Sequence, residues 1–186
     1  MNSVVITKRG HIAFQQIPMP DVNSLKKNQV LVKVEAAAIN HSDILFMRGK
    51  YNIKHGLPFT PGWEGSGTIV GCSPGMDQQM SQNLMGKRVA FQKQGEIIEY
   101  KYGGSMADYI VTNTSYIMPI PENIDFDHAS SFFINPLTAI GMVSRVKELK
   151  AKSCIVTAAA SQIGRMIVRL MVKEGITPIC IVRRQE

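Results

Sequence analysis

Ala158, Ala159, Ala160, Ser161 and Gly164 cluster between an apolar, β-branched run (Ser153–Thr157) and an amphipathic stretch beginning near Gln162. Small residues at such a junction let backbone N–H groups close on a pyrophosphate, whose charge the helix N-terminus favours. They also have a plainer use, because small side chains let a helix pack tightly on its strand, and the full glycine pattern of a dinucleotide-binding turn is missing. Position favours the first reading. A second apolar run, Ile176–Val182, follows the helix and ends on Arg183 and Arg184. In a dinucleotide site the ribose is read about 20 residues beyond the turn, at the end of the second strand. An Asp or Glu there favours a free 2′-hydroxyl, whereas two arginines suit a 2′-phosphate. The segment reads as half of an NADP site, without the sheet that would complete it.

The elements that position these residues follow from the pattern. Ser153–Thr157 and Ile176–Val182 read as parallel strands, joined by a helix from about Gln162 to Lys173. Upstream, up to about Pro121, the chain is β-rich and irregular. Val4–Thr7 and His11–Ile17 flank Arg9-Gly10 as a hairpin would. Val30–Ile39 alternates and then turns wholly apolar, and Gly67–Cys72, Lys87–Phe91 and Ala107–Thr112 read as further short strands. Short strands at this spacing predict a barrel. A short helix is expected over Ser42–Met47 with Ser42 as its cap. Beyond the prolines, Asp127–Ile134 looks helical, and Asn135-Pro136 opens a second helix running to about Leu149. The fold class is mixed β and α/β, with domains over residues 1–122 and 123–186.

Composition narrows the function. The chain has 186 residues, 45% of them hydrophobic, with a net charge of +7, enough for sizeable cores. Arg145 to Arg184 holds nine basic residues against Glu148 and Glu174 only. No nucleic-acid motif or interleaved aromatic accompanies that charge, so a phosphate-rich cofactor or an acidic partner surface is expected instead of nucleic acid. Cys72, Cys154 and Cys180 have no metal spacing, and Cys154 and Cys180 read as core thiols of a reducing compartment. No apolar run reaches the ~18 residues of a membrane span, and the first strand leaves no room for a targeting segment. A cytoplasmic protein is expected.

Five stretches then occur in order: AAAINHSDILFMRGKY (Ala36–Tyr51), LPFTPGWEGSGTIVG (Leu57–Gly71), GGSMADYIV (Gly103–Val111), INPLTAIGMV (Ile134–Val143) and the TAAASQIGRMIVRL tail. Together they resemble the medium-chain dehydrogenase/reductase superfamily, in its zinc-independent quinone oxidoreductase branch, over essentially the whole chain. The resemblance implies a GroES-like barrel carrying substrate, followed by the first two strands of a Rossmann domain carrying NADPH. Zinc-dependent relatives place a Cys at Asn40 and a His at Trp63. Neither residue present is a credible ligand, Glu64 alone does not hold the metal, and His41 and His55 match no zinc spacing. The Gln92–Tyr102 segment lacks the cysteines of a structural zinc lobe, so no zinc is expected.

By the same resemblance, Asn40 and Tyr51 line the nicotinamide and substrate pocket, Tyr51 matching a hydrogen-bond donor of the enoyl-thioester reductases. Thr138 lies near the nicotinamide ring, and Ser161, Gln162 and Ile163 present backbone N–H groups to the pyrophosphate. Arg165 adds charge there or is simply solvated. Without a Lewis acid, the chemistry implied is hydride transfer to an acceptor activated by conjugation, such as a quinone, an enone or an enoyl thioester. The open sheet argues that the 186-residue chain alone is inactive. A homodimer or a second chain would complete the sheet, and a non-catalytic subunit using the barrel as an interaction module is the alternative.

Overall fold

The computed structural model describes residues 1–51, 56–93 and 103–184. His55 and most of the Gln92–Tyr102 segment fall outside them. The chain divides into two compact units, Met1–Phe132 and Phe133–Glu186.

In the first unit, β1 (Asn2–Lys8) and β2 (His11–Gln16) form the expected antiparallel hairpin across Arg9-Gly10. The turn needs the left-handed conformation that Gly10 adopts at φ 76°. Five further strands build one antiparallel sheet: β3 (Gln29–Ala37), β4 (Glu64–Cys72), β5 (Arg88–Gln92), β6 (Tyr109–Asn113) and β7 (Ile117–Pro119), ordered β6-β3-β4-β5-β7. Alternation along β3 splits its side chains between two cores. Val30 and Val32 pack with Ile69, Val89, Phe91 and Ile110, while Leu31 packs with Leu25 and Val111. The hairpin joins this body through bridges from Ser3 to Ala107 and from Ile6 to Phe59.

β3 carries a bulge between Val34 and Ala36 opposite β4. There the backbone crosses so closely that a Cβ on Gly67 would stand 2.0 Å from the Lys33 carbonyl oxygen. Only glycine fits this crossing.

Three α-helices decorate the unit among the described residues: α1 (His41–Met47), α2 (Gln78–Leu84) and α3 (Phe126–Ala129). The cap of α1 is Asn40, one residue before the helix, and not Ser42. The expected Asp127–Ile134 helix is reduced to α3, capped by Asp125, whose carboxylate accepts the His128 N–H. α3 packs on β3, β4 and β5. The two units therefore part after Phe132, beyond the prolines near residue 122 where the sequence suggested a boundary.

The second unit runs α4 (Ile134–Glu148), β8 (Ser153–Thr157), α5 (Gln162–Lys173) and β9 (Thr177–Ile181). α4 starts ahead of Asn135-Pro136. Pro136 is tolerated there because the first-turn N–H groups of a helix have no intrahelical acceptor. β8 and β9 pair in parallel from Ser153↔Thr177 to Thr157↔Ile181. Val143, Val156, Ile167, Met171 and Ile176 form the core. The two strands are covered incompletely: Ile155, Ile179 and Ile181 are each at least half exposed. Cys154 is only half-buried and Cys180 is exposed, against the expectation of core thiols. Among the described residues β9 has no neighbouring strand on its outer side, so the apolar run that predicted burial stands in the open.

Candidate functional site

Within the first unit, the end of β3, the start of α1 and the start of β4 converge on a buried polar cluster. Asn40 leaves β3 in extended conformation and caps α1, its backbone N–H donating to Asp43 Oδ2 at 2.7 Å. Its side-chain Nδ2 donates to Glu64 Oε1 at 2.8 Å, in a bond wholly inside the protein. Asp43 and Glu64 are both fully buried. Burial is the main cause that pushes the Asp43 carboxyl up to about 6, with the Glu64 charge adding to it and hydrogen bonds from Asn40 opposing it.

Trp63 precedes β4 and packs against Phe46 of α1 at 4.8 Å between ring centroids, and against Tyr51 at 6.1 Å. Tyr51 also meets Phe46 edge-on, and its ring is 40% exposed. The aromatic trio forms a shelf beside the polar cluster. Across the strands, the Lys93 backbone N–H donates to the Trp63 carbonyl at 2.7 Å. This pairing places the Lys93 ammonium over the indole, 5.5 Å from its centroid. Lys93 is 5% exposed. Burial lowers its pKa to about 8, against the opposing pull of Asp43.

Asn40 bonds to Glu64 and Tyr51 packs against Trp63, so both border the segment that opens β4. Asp43 and Lys93 are additions. Their signals lay in the sequence: Asp43 stands three residues after the Asn cap, the spacing of a capping box. Lys93 continues the alternation Val89, Phe91, so it turns to the same buried side of β5.

In the second unit, Ser161 caps α5, its Oγ accepting the Gly164 N–H at 3.1 Å. The turn before it uses Ala158 at φ 52°, and a Cβ on Gly164 would come within 2.5 Å of the Ala158 carbonyl. Gly164 therefore serves the close seating of helix on turn. Ser161 differs from its neighbours, since its own N–H is already bound to the Ala158 carbonyl at 2.9 Å. Gln162 and Ile163 are the first two helical residues, whose N–H groups have no carbonyl one turn earlier. A pyrophosphate fits those donors, because the α5 dipole adds positive character where they point. Thr138 is exposed on α4 and donates to the Ile134 carbonyl at 2.6 Å. Arg183 and Arg184 are exposed just beyond β9. Among the described residues, no group of three His, Cys, Asp or Glu side chains could hold a metal ion.

A β domain with a buried polar cluster, followed by a parallel strand–helix–strand unit with a small-residue turn, defines a two-part architecture: a GroES-like barrel and the beginning of a Rossmann segment. The model of the alcohol dehydrogenase GroES-like domain matches residues 26–122, just over half of the chain. A quinone oxidoreductase-like protein 2 homolog of Nematostella vectensis is 32% identical over 144 residues, covering 76% of this chain and 36% of that protein. A mitochondrial enoyl-[acyl-carrier-protein] reductase of Xenopus tropicalis is 28% identical over 162 residues, covering 86% of this chain and 43% of that protein. A solved structure from Mesorhizobium loti, provisionally assigned as an NADPH:quinone reductase, superposes with a TM-score of 0.80 at 31% identity. It covers all of this chain and 55% of its own. The chain belongs to the medium-chain dehydrogenase/reductase family, among its quinone oxidoreductase-like members. It spans between 36% and 52% of the length of the first curated relatives it matches.

Proposed function

We propose that this chain forms the substrate domain and the first cofactor-binding wall of an NADPH-dependent reductase that passes hydride to a quinone or another conjugated carbonyl. The observation that carries the reading is the bond between Asn40 Nδ2 and Glu64 Oε1. By the resemblance, Asn40 and Trp63 stand where zinc-dependent relatives carry a Cys and a His ligand, and here the Asn40 amide is bonded to a carboxylate instead. Hydride acceptors that need no metal are those in which conjugation itself spreads the developing charge.

Each unit contributes its own part. Asn40 and Tyr51 face the acceptor, Tyr51 with a hydroxyl that makes no hydrogen bond among the described residues. Gln162 and Ile163 hold the pyrophosphate, with Ser161 shaping the turn, Thr138 lies near the nicotinamide, and Arg183 and Arg184 take the 2′-phosphate. NADPH, when bound, supplies the hydride. The bare sides of β8 and β9 call for a further wall, from a second copy or another segment, before turnover.

The cofactor assignment is tested on the assembled protein by measuring NADPH and NADH oxidation with a small quinone. Each charge-assisted contact to the 2′-phosphate contributes roughly 1.5–3 kcal/mol, so Arg183→Ala with Arg184→Ala is expected to weaken NADPH binding at least tenfold and leave NADH unchanged. Equal affinity for both cofactors before and after replacement would show the arginines to be only a basic strand end. An enoyl-thioester acceptor is the second reading, favoured by the position of Tyr51 on the Trp63 shelf. Turnover of an enoyl thioester faster than of the quinone, lost in Tyr51→Phe, would select it.

The site is also expected to be free of zinc, since Asn40 and Trp63 offer neither thiolate nor imidazole. Elemental analysis of the purified chain checks this, and close to one zinc per chain would overturn it.

A further inference from the structure

The charged residues of α5 are all cations and all lie on one face. Arg165, Arg169 and Lys173, with Val172, fall within about 100° of the helix circumference. Ile167 and Met171 on the opposite face are buried and pack with Val156 of β8. The three cations are exposed. The acids of the surrounding stretch are already taken, Glu148 by Arg145 and Glu174 by Lys147 of α4. Glu174 feels the Lys173 charge only after that of Lys147. This arrangement works against the helix that carries it. Arg165 with Arg169, and Arg169 with Lys173, are like charges four residues apart, a spacing that weakens a helix. Arg165 also sits near the positive end of the α5 dipole, with no acidic residue in the first turn to offset it. Beside Arg169 and Lys173, the aliphatic Val172 is 62% exposed.

We propose that this face of α5 docks an acidic amphipathic helix of a partner protein, one with carboxylates at four-residue spacing and an aliphatic side chain that covers Val172. The spacing selects the partner. Successive cations stand about 6 Å apart along α5, and Asp or Glu residues four apart on a second helix repeat at the same distance. Charge pairs can therefore form at each step along the two helices at once. An antiparallel approach also brings the negative C-terminal end of the partner to Arg165, at the positive end of α5. Opposite charge guides the encounter and fixes the register, while an apolar contact within a polar rim is the usual anatomy of an interface. An anionic bilayer matches the face less well. A helix that lies in a membrane surface buries a whole apolar face, and that of α5 is used by the core, which leaves Val172 alone to enter the lipid.

The test is titration of the full 186-residue chain into a fluorescein-labelled, alanine-based helical peptide with Glu at every fourth position and one Leu beside them, read by anisotropy. Binding is expected, and it should weaken as salt rises. Arg165→Gln, Arg169→Gln and Lys173→Gln combined should weaken it at least tenfold, and Val172→Ala about threefold. Removing the same charge from exposed sites of the first unit, by Lys8→Gln, Lys27→Gln and Lys87→Gln combined, should change it by less than about twofold. A peptide of the same composition with its Glu residues spread round the helix should bind at least tenfold more weakly. Gln is a good helix former and removes the like-charge pairs, so the triple α5 variant should unfold at a higher urea concentration than the parent. Should it not fold, Arg169→Gln alone decides, by a threefold loss. Failure of the parent to bind, equal binding of the two peptides, or equal losses in the α5 and control variants overturns the proposal. So does sedimentation with phosphatidylserine vesicles that the acidic peptide cannot compete away, which would assign the face to a membrane. No nicotinamide or hydride acceptor enters the measurement, so its result stands apart from the reductase reading.

Discussion

Gly67→Ala is expected to destabilise the first unit by about 3 kcal/mol or more, enough to unfold much of it at room temperature. The methyl group would arrive 2.0 Å from the Lys33 carbonyl oxygen, with the Lys33 carbonyl carbon at 2.9 Å. Backbone cannot rotate away as a side chain can. Relief would require β3 and β4 to separate where they pair from Val30↔Cys72 to Ala37↔Gly65, and that seam carries the buried Val32 of the main core. Gly75→Ala is the control, since nothing lies within 4 Å of the added carbon and its effect should be a few tenths of a kcal/mol in either direction. Urea unfolding followed by Trp63 fluorescence measures both variants. Similar midpoints for the two would show that the crossing yields more easily than its geometry implies.

Stability should also change with pH in two separate windows, each traceable to one residue. Asp43 has a folded pKa of about 6 against an ordinary value of 3.8. The folded chain therefore binds the proton more tightly than the unfolded one. Its contribution is fully present below about pH 4 and is lost as pH rises through 6. Lys93 has a folded pKa of about 8 against 10.5. Here the unfolded chain holds the proton more tightly, so the contribution is present above 10.5 and is lost as pH falls through 8. At about 1.36 kcal/mol per unit, reduced for the water that reaches such groups, each window is worth roughly 2–3 kcal/mol. Asp43→Asn should flatten the first limb, its side-chain oxygen still able to accept the Asn40 N–H. Lys93→Met should flatten the second and raise stability at neutral pH. Denaturation curves from pH 4 to 10.5 that run parallel in all three chains would remove both assignments.

The contrast between what the sequence disclosed and what it withheld follows the range of the interactions. α5 was legible to its ends because an amphipathic stripe and the Ser161 cap are local signals, and the hairpin was legible because Gly10 marks its turn. α2 was missed: its polar sequence QQMSQNL buries no residue, so no apolar stripe announces it. β7, three residues long, is too short to show alternation and exists because β5 offers it an edge. In the site, Asn40 and Tyr51 were reached through family resemblance and Asp43 had a local signal in its spacing from Asn40, while the place of Lys93 over Trp63 required knowing which strands lie side by side. Nothing local tells that Lys93 pairs with Trp63, since they meet only through the β4–β5 ladder. Burial of Cys180 was inferred from its apolar neighbours, but burial needs a covering layer, and composition alone does not supply one.

That exposed thiol gives the bare side of β9 a chemical clock. Cys180 is exposed, whereas Cys72 and Cys154 are half-buried, so a bulky maleimide should modify Cys180 first. The rate of that alkylation then measures how often the strand is uncovered. In the isolated chain it should approach the rate of a free thiol at low concentration and slow as copies begin to shield one another. In the presence of whatever supplies the missing wall, it should fall to the rate at which that wall opens.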